Sequence, residues 1–271
     1  MVKVAILGST GMLGNAVGAH FMAQEKYDTV LTYRNREISY GANKIWFDAG
    51  TTRLLDLPRV DYIINCIGVI KPFIEKDRGK SIYLNAVFPY ELASHCKKHD
   101  IRLIHITTDC VFSGTKGAYI ETDDHDCVDF YGKTKSLGEP SDECMVLRTS
   151  IVGEEIHKDA SLISWVKSMR GREISGFVNH QWNGVTTKQY AKICARIIDE
   201  SLYREGLFHI GSESVSKYEL VSAISDRFEL DTLVNPVEAP NAIDRTLSSN
   251  EDLSLLIMND LPTIREQIFD L

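Results

Sequence analysis

The segment Val2–Gly14 reads VKVAILGSTGMLG, an apolar run followed by three glycines at a G-x-x-G-x-x-G spacing. The run predicts a buried strand over Val2–Leu7, and the pattern after it predicts a helix over Met12–Gln24. Glycines at such a junction let the backbone turn sharply, and a helix N-terminus offers free N–H groups to phosphates. We therefore predict a dinucleotide pyrophosphate site at Gly8, Thr10, Gly11, Met12, Leu13 and Gly14. The alternative is a tight strand–helix turn that binds nothing.

Short apolar runs and helical patterns alternate through the first half of the chain. The predicted strands after the first are Thr29–Tyr33, Lys44–Phe47, Tyr62–Cys66, Arg102–Ile106 and Met145–Thr149, and the predicted helices are Ser81–Lys97 and Phe130–Leu137. This alternation is typical of an α/β fold with a Rossmann-like, doubly wound parallel sheet. Such sheets bind ligands beyond the carboxyl ends of their strands.

The second half has a looser pattern. Helices are predicted at Ser161–Arg170, Thr187–Tyr203 and Ser216–Phe228, the last with Ser214 or Ser216 as its N-cap, and a strand at Leu207–Ile210. Gly171–Gly184 is predicted to be irregular. We expect an NADP(H)-binding Rossmann domain over residues 1–152 and a smaller C-terminal substrate-binding lobe over 153–271, with 186–211 packing back onto the first domain.

Composition excludes several classes of protein. A net charge of -8 over 271 residues argues against a nucleic-acid surface. The six cysteines form no C-x-x-C pair, so no metal site is predicted. No apolar stretch approaches the roughly 18 residues of a membrane span, and the N-terminal run is too short for a signal sequence. We expect a cytoplasmic protein with reduced thiols, and homodimer formation is left open.

The end of the second strand bears on the choice of cofactor. It reads Leu31-Thr32-Tyr33-Arg34-Asn35-Arg36 and lacks the acid that usually binds the ribose 2′-hydroxyl of NAD. Arg34 and Arg36 would instead pair with a 2′-phosphate, which favours NADPH, with NADH and two solvated arginines as the alternatives. Asp48, after the third strand, would accept from the adenine amino group or cap a helix.

Tyr131 and Lys135 stand four residues apart on a predicted helix, so they share one face. Tyrosine has a pKa near ~10, and a nearby cation lowers that value and favours proton transfer near neutral pH. At the end of the fifth strand, Thr108 is predicted to hold a substrate carbonyl oxygen for Tyr131. Asp109 would bind a substrate hydroxyl or a loop amide, and turn chemistry is the alternative for Thr107 and Asp109. Together these residues predict carbonyl reduction.

The chain resembles the extended short-chain dehydrogenase/reductases, and within them the dTDP-4-dehydrorhamnose reductases and related nucleotide-sugar reductases. The resemblance rests on Gly8–Gly14, Asn65–Gly68, Leu84–Val87, Thr107–Phe112, Tyr131–Glu139, Arg148–Ser150, His180–Thr186 and Gly206–Ile210. It implies a catalytic set of Thr108, Tyr131 and Lys135, with Lys135 also bonding the nicotinamide ribose. It implies further that Asn85 helps to hold that lysine and that Cys66, Ile67 and Gly68 line the cofactor path.

The same resemblance implies a nucleotide-diphosphate sugar substrate and 4-keto reduction of its deoxysugar. The predicted substrate side is Thr108, Asp109, Val111, Tyr131, Trp182 and Asn183. Cys110, Ile151 and the Asn183–Thr186 ending depart from the usual family pattern on this side. Two alternatives remain open, namely an epimerase or dehydratase on the same scaffold and a non-catalytic, dinucleotide-binding regulatory subunit.

Overall fold

The structure is a computed structural model that describes residues 1–34, 43–156 and 160–271. Its strands, numbered in chain order, are β1 Val2–Leu7, β2 Tyr27–Tyr33, β3 Lys44–Trp46, β4 Tyr62–Asn65, β5 Arg102–Thr108, β6 Met145–Thr149, β7 Ile151–Val152, β8 Glu173–Phe177, β9 His180–Trp182, β10 Val185–Thr186, β11 Gly206–His209, β12 Val215–Ser216, β13 Leu233–Val237 and β14 Ile243–Asp244.

The helices follow the same numbering. They are α1 Met12–Met22, α2 Lys71–Ile74, α3 Arg78–Ile82, α4 Phe88–Lys98, α5 Phe130–Ser136, α6 Leu162–Ser168, α7 Thr187–Asp199, α8 Lys217–Arg227, α9 Asp252–Met258 and α10 Ile264–Phe269. A π-helical turn covers Tyr83–Val87, and single 3₁₀ turns cover Leu54–Asp56 and Asp109–Val111. No helix within the described ranges has the length and apolar character needed to cross a membrane.

A seven-stranded sheet lies at the centre of the fold. Its strand order is β3-β2-β1-β4-β5-β6-β11, and β1 pairs in parallel with both β2 and β4. β1 is central because Val4 to Leu7 are completely buried, as an apolar strand covered on both faces must be. The predicted Rossmann-like, doubly wound α/β fold is confirmed.

The predicted helix over Ser81–Lys97 is interrupted. Its middle forms the π-helical turn Tyr83–Val87 between α3 and α4. Pro89 explains the break, because it has no N–H to donate to the carbonyl of Asn85 four residues earlier. Turns of this kind are frequent at functional sites, and this one contains Asn85.

The prediction that Gly171–Gly184 is irregular is wrong. β8 pairs in parallel with β13, and β9 lies between β12 and β14. These strands are short and their partners lie far along the chain, so no local pattern signals them. β13, β14, α9 and α10 were not anticipated either.

The chain divides into two compact units. Unit 1 comprises Met1–Thr107, Val128–Leu147 and Ala191–Leu207, and unit 2 comprises Thr108–Cys127, Arg148–Tyr190 and Phe208–Leu271. A hydrophobic cluster that includes Leu7, Ile63 and Leu103 fills unit 1. The division at residue 152 stays a prediction.

Unit 2 has its own hydrophobic core. Trp182, Leu220 and Ile224 belong to a cluster of buried side chains in this unit. α8, which supplies two of these residues, starts at a capping box in which Ser216 accepts from the Glu219 amide and the Glu219 carboxylate accepts from Ser216. Of the two predicted N-caps, Ser216 is the one observed.

A buried arginine organises the polar interior of unit 2. Arg148 is fully buried, and its guanidinium donates to Nε2 of His209 at 2.8 Å and to Nε2 of His125 at 2.6 Å. Because arginine has no acceptor, both histidines must be neutral at that nitrogen. Nδ1–H of His209 donates to the carbonyls of Tyr119 and Ser248. Burial and the adjacent Arg148 charge lower the pKa of His209 below 6.5.

We expect the free energy of unfolding to fall below pH 6.5, because His209 takes up a proton in the unfolded chain but not in the fold. This one group removes at most about 2 kcal/mol between pH 6.5 and pH 5. His209→Gln keeps an acceptor for Arg148 and a donor for the carbonyls. This variant should therefore lose less free energy of unfolding than the wild type when the pH falls from 6.5 to 5. Urea unfolding at both pH values measures the difference.

His180→Gln serves as the matched control, because His180 is only partly buried and its Nε2 bonds the carbonyl of Asn241. An identical pH dependence in wild type and the His209 variant would contradict the assignment.

Candidate functional site

The glycine loop between β1 and α1 has the geometry of an open anion cradle. Gly8 adopts a φ of +79° that favours glycine, and its N–H is held by the hydroxyl of Thr32 at 2.9 Å. Gly11 precedes α1, no side chain caps the helix, and its first turn contains no acid. The first N–H groups and the positive end of the helix dipole therefore remain available to an anion.

Gly14 and Gly11 differ in the space around them. A Cβ at Gly14 would lie 2.2 Å from the carbonyl oxygen of Gly8, whereas a Cβ at Gly11 would lie 3.5 Å from that same oxygen. Gly14 is thus required for the loop to pack on the helix. Gly11 is exposed, and its missing side chain leaves room on the loop surface.

The residues predicted to contact the adenosine end occupy the edge of the sheet. Arg34 is exposed, and its carbonyl accepts from Nε1 of Trp46 at 3.0 Å. Asp48 uses Oδ1 to accept from the amide of Gly50 at 3.0 Å, so part of its carboxylate stabilises the turn that follows β3. Arg36 lies outside the described residues.

Asn85 connects the predicted cofactor path to α5. Its Oδ1 accepts from the Val69 amide at 2.8 Å, and its Nδ2 donates to the Val69 carbonyl at 2.9 Å and to Oγ1 of Thr134 at 3.1 Å. The resemblance implied that Asn85 holds Lys135. In the structure it bonds Thr134, the residue before that lysine, and its help in holding Lys135, often through water in the family, stays a prediction.

The segment that Asn85 holds also contains Cys66, Ile67 and Gly68. Ile67 approaches the loop, because its Cγ1 lies 3.0 Å from where a Cβ of Gly8 would be. Burial raises the pKa of the Cys66 thiol well above its usual value. The thiol is therefore neutral near pH 7 and adds no negative charge where phosphates are predicted to lie.

Two interactions of Asp129 hold the start of α5, the helix that carries Tyr131. Asp129 caps the helix by accepting from the amide of Gly132 at 2.9 Å, and it also forms an ion pair with Lys71 at 3.2 Å. The Lys71 ammonium lies 5.7 Å from the centre of the Tyr131 ring. The Lys71 cation therefore lies over the ring of Tyr131 while it pairs with the helix cap.

Lys135 is buried on the same helix. Only 5% of it is exposed, and its Nζ donates to the carbonyl of Ile106 at 3.1 Å. Burial lowers the pKa of Lys135 from 10.5 to about 8. Nearby His105 is neutral, because burial and the Lys135 charge lower its pKa well below 6.5. Nε2–H of His105 donates to the carbonyl of Gly138 at 3.1 Å and fixes the end of α5.

The predicted substrate residues of unit 2 are largely engaged in internal contacts. Thr108 donates to Oδ1 of Asp109 at 3.0 Å, and its oxygen accepts from the amide of Cys110. The Val111 side chain is fully buried with Phe112, Tyr119 and Leu247.

Asn183 is engaged as well, because its amide bonds both the N–H and the carbonyl of Leu247. Trp182 is 5% exposed and packs in the core. Substrate binding by Thr108, Asp109, Val111, Trp182 and Asn183 stays a prediction.

Comparison with known proteins identifies the family. The RmlD substrate binding domain family matches residues 2–267. This chain belongs to that family. The resemblance to the nucleotide-sugar reductases that the sequence motifs indicated is thereby confirmed.

Individual relatives have low sequence identity to this chain. A dTDP-4-dehydrorhamnose reductase of Aggregatibacter actinomycetemcomitans is 28% identical over 90% of this chain and 85% of its own length. Methionine adenosyltransferase 2 subunit beta of Mus musculus is 27% identical over 84% of this chain and 72% of its own length. The crystal structure of a dTDP-4-dehydrorhamnose reductase from Bacillus anthracis in complex with NADP has a TM-score of 0.79 at 21% identity and covers 99% of this chain and 98% of that one.

Lys135→Met should raise the free energy of unfolding by about 2 kcal/mol at pH 7. A pKa lowered from 10.5 to about 8 means that the fold disfavours the ammonium by about 3 kcal/mol, and loss of the bond to Ile106 offsets about 1 kcal/mol of that gain.

The wild-type protein should gain stability as the pH rises from 8 to 10.5, because over this range the folded protein has lost the Lys135 proton while the unfolded chain still carries it. Lys133→Met, exposed on the same helix, is the control. Urea unfolding at pH 7 and pH 9.5 measures both effects, and a destabilised Lys135 variant at pH 7 would contradict the expectation.

Gly14→Ala should destabilise the fold by about 1–3 kcal/mol, because the added methyl group overlaps the Gly8 carbonyl. Gly11→Ala should leave stability within about 0.5 kcal/mol, because its methyl group has room. Chemical unfolding of the pair tests the packing, and equal losses in the two variants would refute it.

Proposed function

We propose that this protein reduces a keto group on a nucleotide-linked deoxysugar with NADPH, most plainly at the 4 position of the sugar. The observation that carries the proposal is α5, on which Tyr131 and the buried Lys135 lie one turn apart. Asn85 ties this helix through Thr134 to the segment around Val69. Membership of the RmlD substrate binding domain family supports the same activity.

The residues present fit a dinucleotide. The uncapped start of α1, the room at Gly11 and the neutral Cys66 thiol suit a pyrophosphate. The residue directly after Tyr33 is the exposed Arg34 and not an acid, which favours a 2′-phosphate. The NADP in the Bacillus anthracis relative supports that preference, with NADH as the alternative. NADPH bound at this site would supply a hydride.

Tyr131 then supplies the proton. Transfer of a hydride to a carbonyl carbon leaves negative charge on the oxygen, and the phenol neutralises it as a general acid. Lys135, with a pKa of about 8, is mostly protonated at pH 7 and has two N–H donors beyond its bond to Ile106. A cation in this low-dielectric position favours the phenolate that Tyr131 leaves behind.

Thr108 is the proposed donor to the substrate oxygen. Its hydroxyl now donates to Asp109, so it must exchange that acceptor for the carbonyl oxygen. The oxygen of Thr108 keeps its bond from the Cys110 amide during this exchange. Asp109, freed by the exchange, becomes an acceptor for a sugar hydroxyl.

Tyr131→Phe should lower turnover by at least about 100-fold, because the proton donor is lost while the ring remains. NADPH affinity should change by less than about threefold. Turnover is measured as loss of NADPH absorbance with a panel of nucleotide-linked 4-keto-sugars, and affinity by titration.

Tyr90→Phe, a partly exposed tyrosine on α4, is the control. Near-normal turnover in the Tyr131 variant would remove this residue from the mechanism. Product formed without net loss of NADPH would point instead to an epimerase or a dehydratase.

A second candidate function is that of a non-catalytic subunit. The 27% identity to methionine adenosyltransferase 2 subunit beta over 84% of this chain favours it. In that role the dinucleotide site would set the conformation of a partner enzyme. Tyr131 would then have no proton to transfer.

Affinity purification of the native protein from its own cells separates the two functions. A stoichiometric partner enzyme, together with no NADPH oxidation on any 4-keto-sugar of the panel, would favour the subunit. Turnover by the purified chain alone would favour the reductase.

A further inference from the structure

Lys217 is the first residue of α8, and its ammonium group lies in an unusual environment in unit 2. The side chain is partly buried, and its ammonium lies 5.1 Å from the centre of the Trp182 ring. Among residues 1–34, 43–156 and 160–271 it forms no hydrogen bond and no ion pair. Three N–H donors without acceptors require an explanation, and a ligand is one.

Local structure does not explain this lysine. A cation in the first turn of a helix is opposed by the helix dipole. The nearby Glu219 carboxylate is used by the amide and hydroxyl of Ser216. Burial lowers the pKa of Lys217. The Arg245 charge lowers it further, whereas Asp109 and Cys110 raise it. The fold thus keeps two positive charges near each other at a cost.

Arg245 follows Asp244, which pairs with Gln181, as does Ser216, the residue before Lys217. Nε of Arg245 donates to the carbonyl of Phe112 at 2.8 Å. A Cβ on Gly114 would lie 3.0 Å from Cγ of Arg245, so the loop packs tightly on the arginine stem. The terminal nitrogens of Arg245 form no hydrogen bond or ion pair with the part of the chain that the structure describes.

The carboxylates around this pair are engaged elsewhere. Asp109 accepts from the Thr108 hydroxyl, and Asp126 accepts from the amide and hydroxyl of Ser113. Asp244 accepts from the amide and hydroxyl of Thr246. None of the three lies within 4 Å of Lys217 or Arg245 as an ion-pair partner in the described ranges.

We propose that Lys217 and Arg245 form the subsite that binds the diphosphate of the nucleotide-linked sugar. The proposal deepens the proposed function and rests on it for the class of substrate. The diphosphate is the charged group that every nucleotide-diphosphate sugar carries. Its oxygens match the three donors of an ammonium and the planar fork of a guanidinium. Trp182 supports the lysine through its ring face rather than by contacting the sugar.

The test is binding of dTDP and of thymidine, measured by calorimetry on the full chain without NADPH. Lys217→Met should weaken dTDP binding by about 10- to 100-fold and leave thymidine binding unchanged, because a charge-assisted bond to phosphate is lost. Lys217→Arg keeps the charge and should recover at least part of the affinity. Arg245→Met should weaken dTDP binding in the same direction.

Lys167→Met is the matched control. Lys167 also lies in unit 2 over an aromatic ring, 3.8 Å from the centre of Phe228, but it is paired with Glu154. This variant should bind dTDP as the wild type does. Inorganic pyrophosphate should compete with dTDP in the wild type and much less in Lys217→Met.

Unchanged dTDP binding in Lys217→Met, or an equal loss for thymidine, overturns the subsite. The result for the diphosphate subsite can be distinguished from the result for the proposed reductase activity. Lys217-dependent dTDP binding without NADPH oxidation would support the subsite and refute the proposed activity, whereas turnover with Lys217-independent dTDP binding would do the reverse. Thermal unfolding shows that each variant is folded.

Discussion

One buried amide, that of Asn85, fixes the geometry on which the candidate catalytic helix depends. Its side chain satisfies both the N–H and the carbonyl of Val69 and also bonds Thr134, so the segment after β4 and α5 are held by the same group. Its main-chain oxygen meets the end of α5, where a Cβ on Gly138 would lie 1.8 Å from it. No side chain at residue 138 is compatible with this approach. The π-helical turn created by Pro89 is therefore the element that sets where Tyr131 and Lys135 stand.

Lys135 is a buried charged group that destabilises the fold, and it lies on the candidate catalytic helix α5. Burial lowers its pKa to about 8, and the backbone carbonyl of Ile106 is its direct partner. A hydrophobic side chain of similar length would fill the same space without the cost of desolvating a charge. Such local conflicts with stability are expected at functional sites and are rare elsewhere. Lys217 is a second conflict of this kind, placed at the unfavourable end of a helix dipole.

The sequence predicted those parts of the molecule that depend on short-range patterns. The strand Val2–Leu7, the glycine loop, α5 and the cap at Ser216 all follow from periodicity and turn chemistry within a few residues. The interruption of the helix near Asn85 could have been predicted, because Pro89 removes an N–H donor. The helical pattern of the surrounding residues instead favoured one continuous helix. β8 and β9 were missed because their partners lie some 30 to 60 residues away, which no local window registers. Lys217 and Arg245 carry no motif, and only the tertiary contacts with Trp182 and Phe112 single them out.

The choice between reductase and subunit turns on which side chains each role needs. A chain that only binds a dinucleotide needs the open start of α1 and the segment that Asn85 holds, and it can use Lys135 as a donor to the cofactor ribose. The desolvation cost of Lys135 is therefore explained by either role. The hydroxyl of Tyr131 is different, because the proposed proton transfer requires it and cofactor binding alone does not. The Lys71 ammonium also lies over the Tyr131 ring and is paired with the Asp129 cap. In the proposed reductase, the Lys71 cation over this ring and the Lys135 ammonium one turn along α5 would stabilise the charge that develops on Tyr131, whereas a subunit that serves only to bind has no such charge to stabilise.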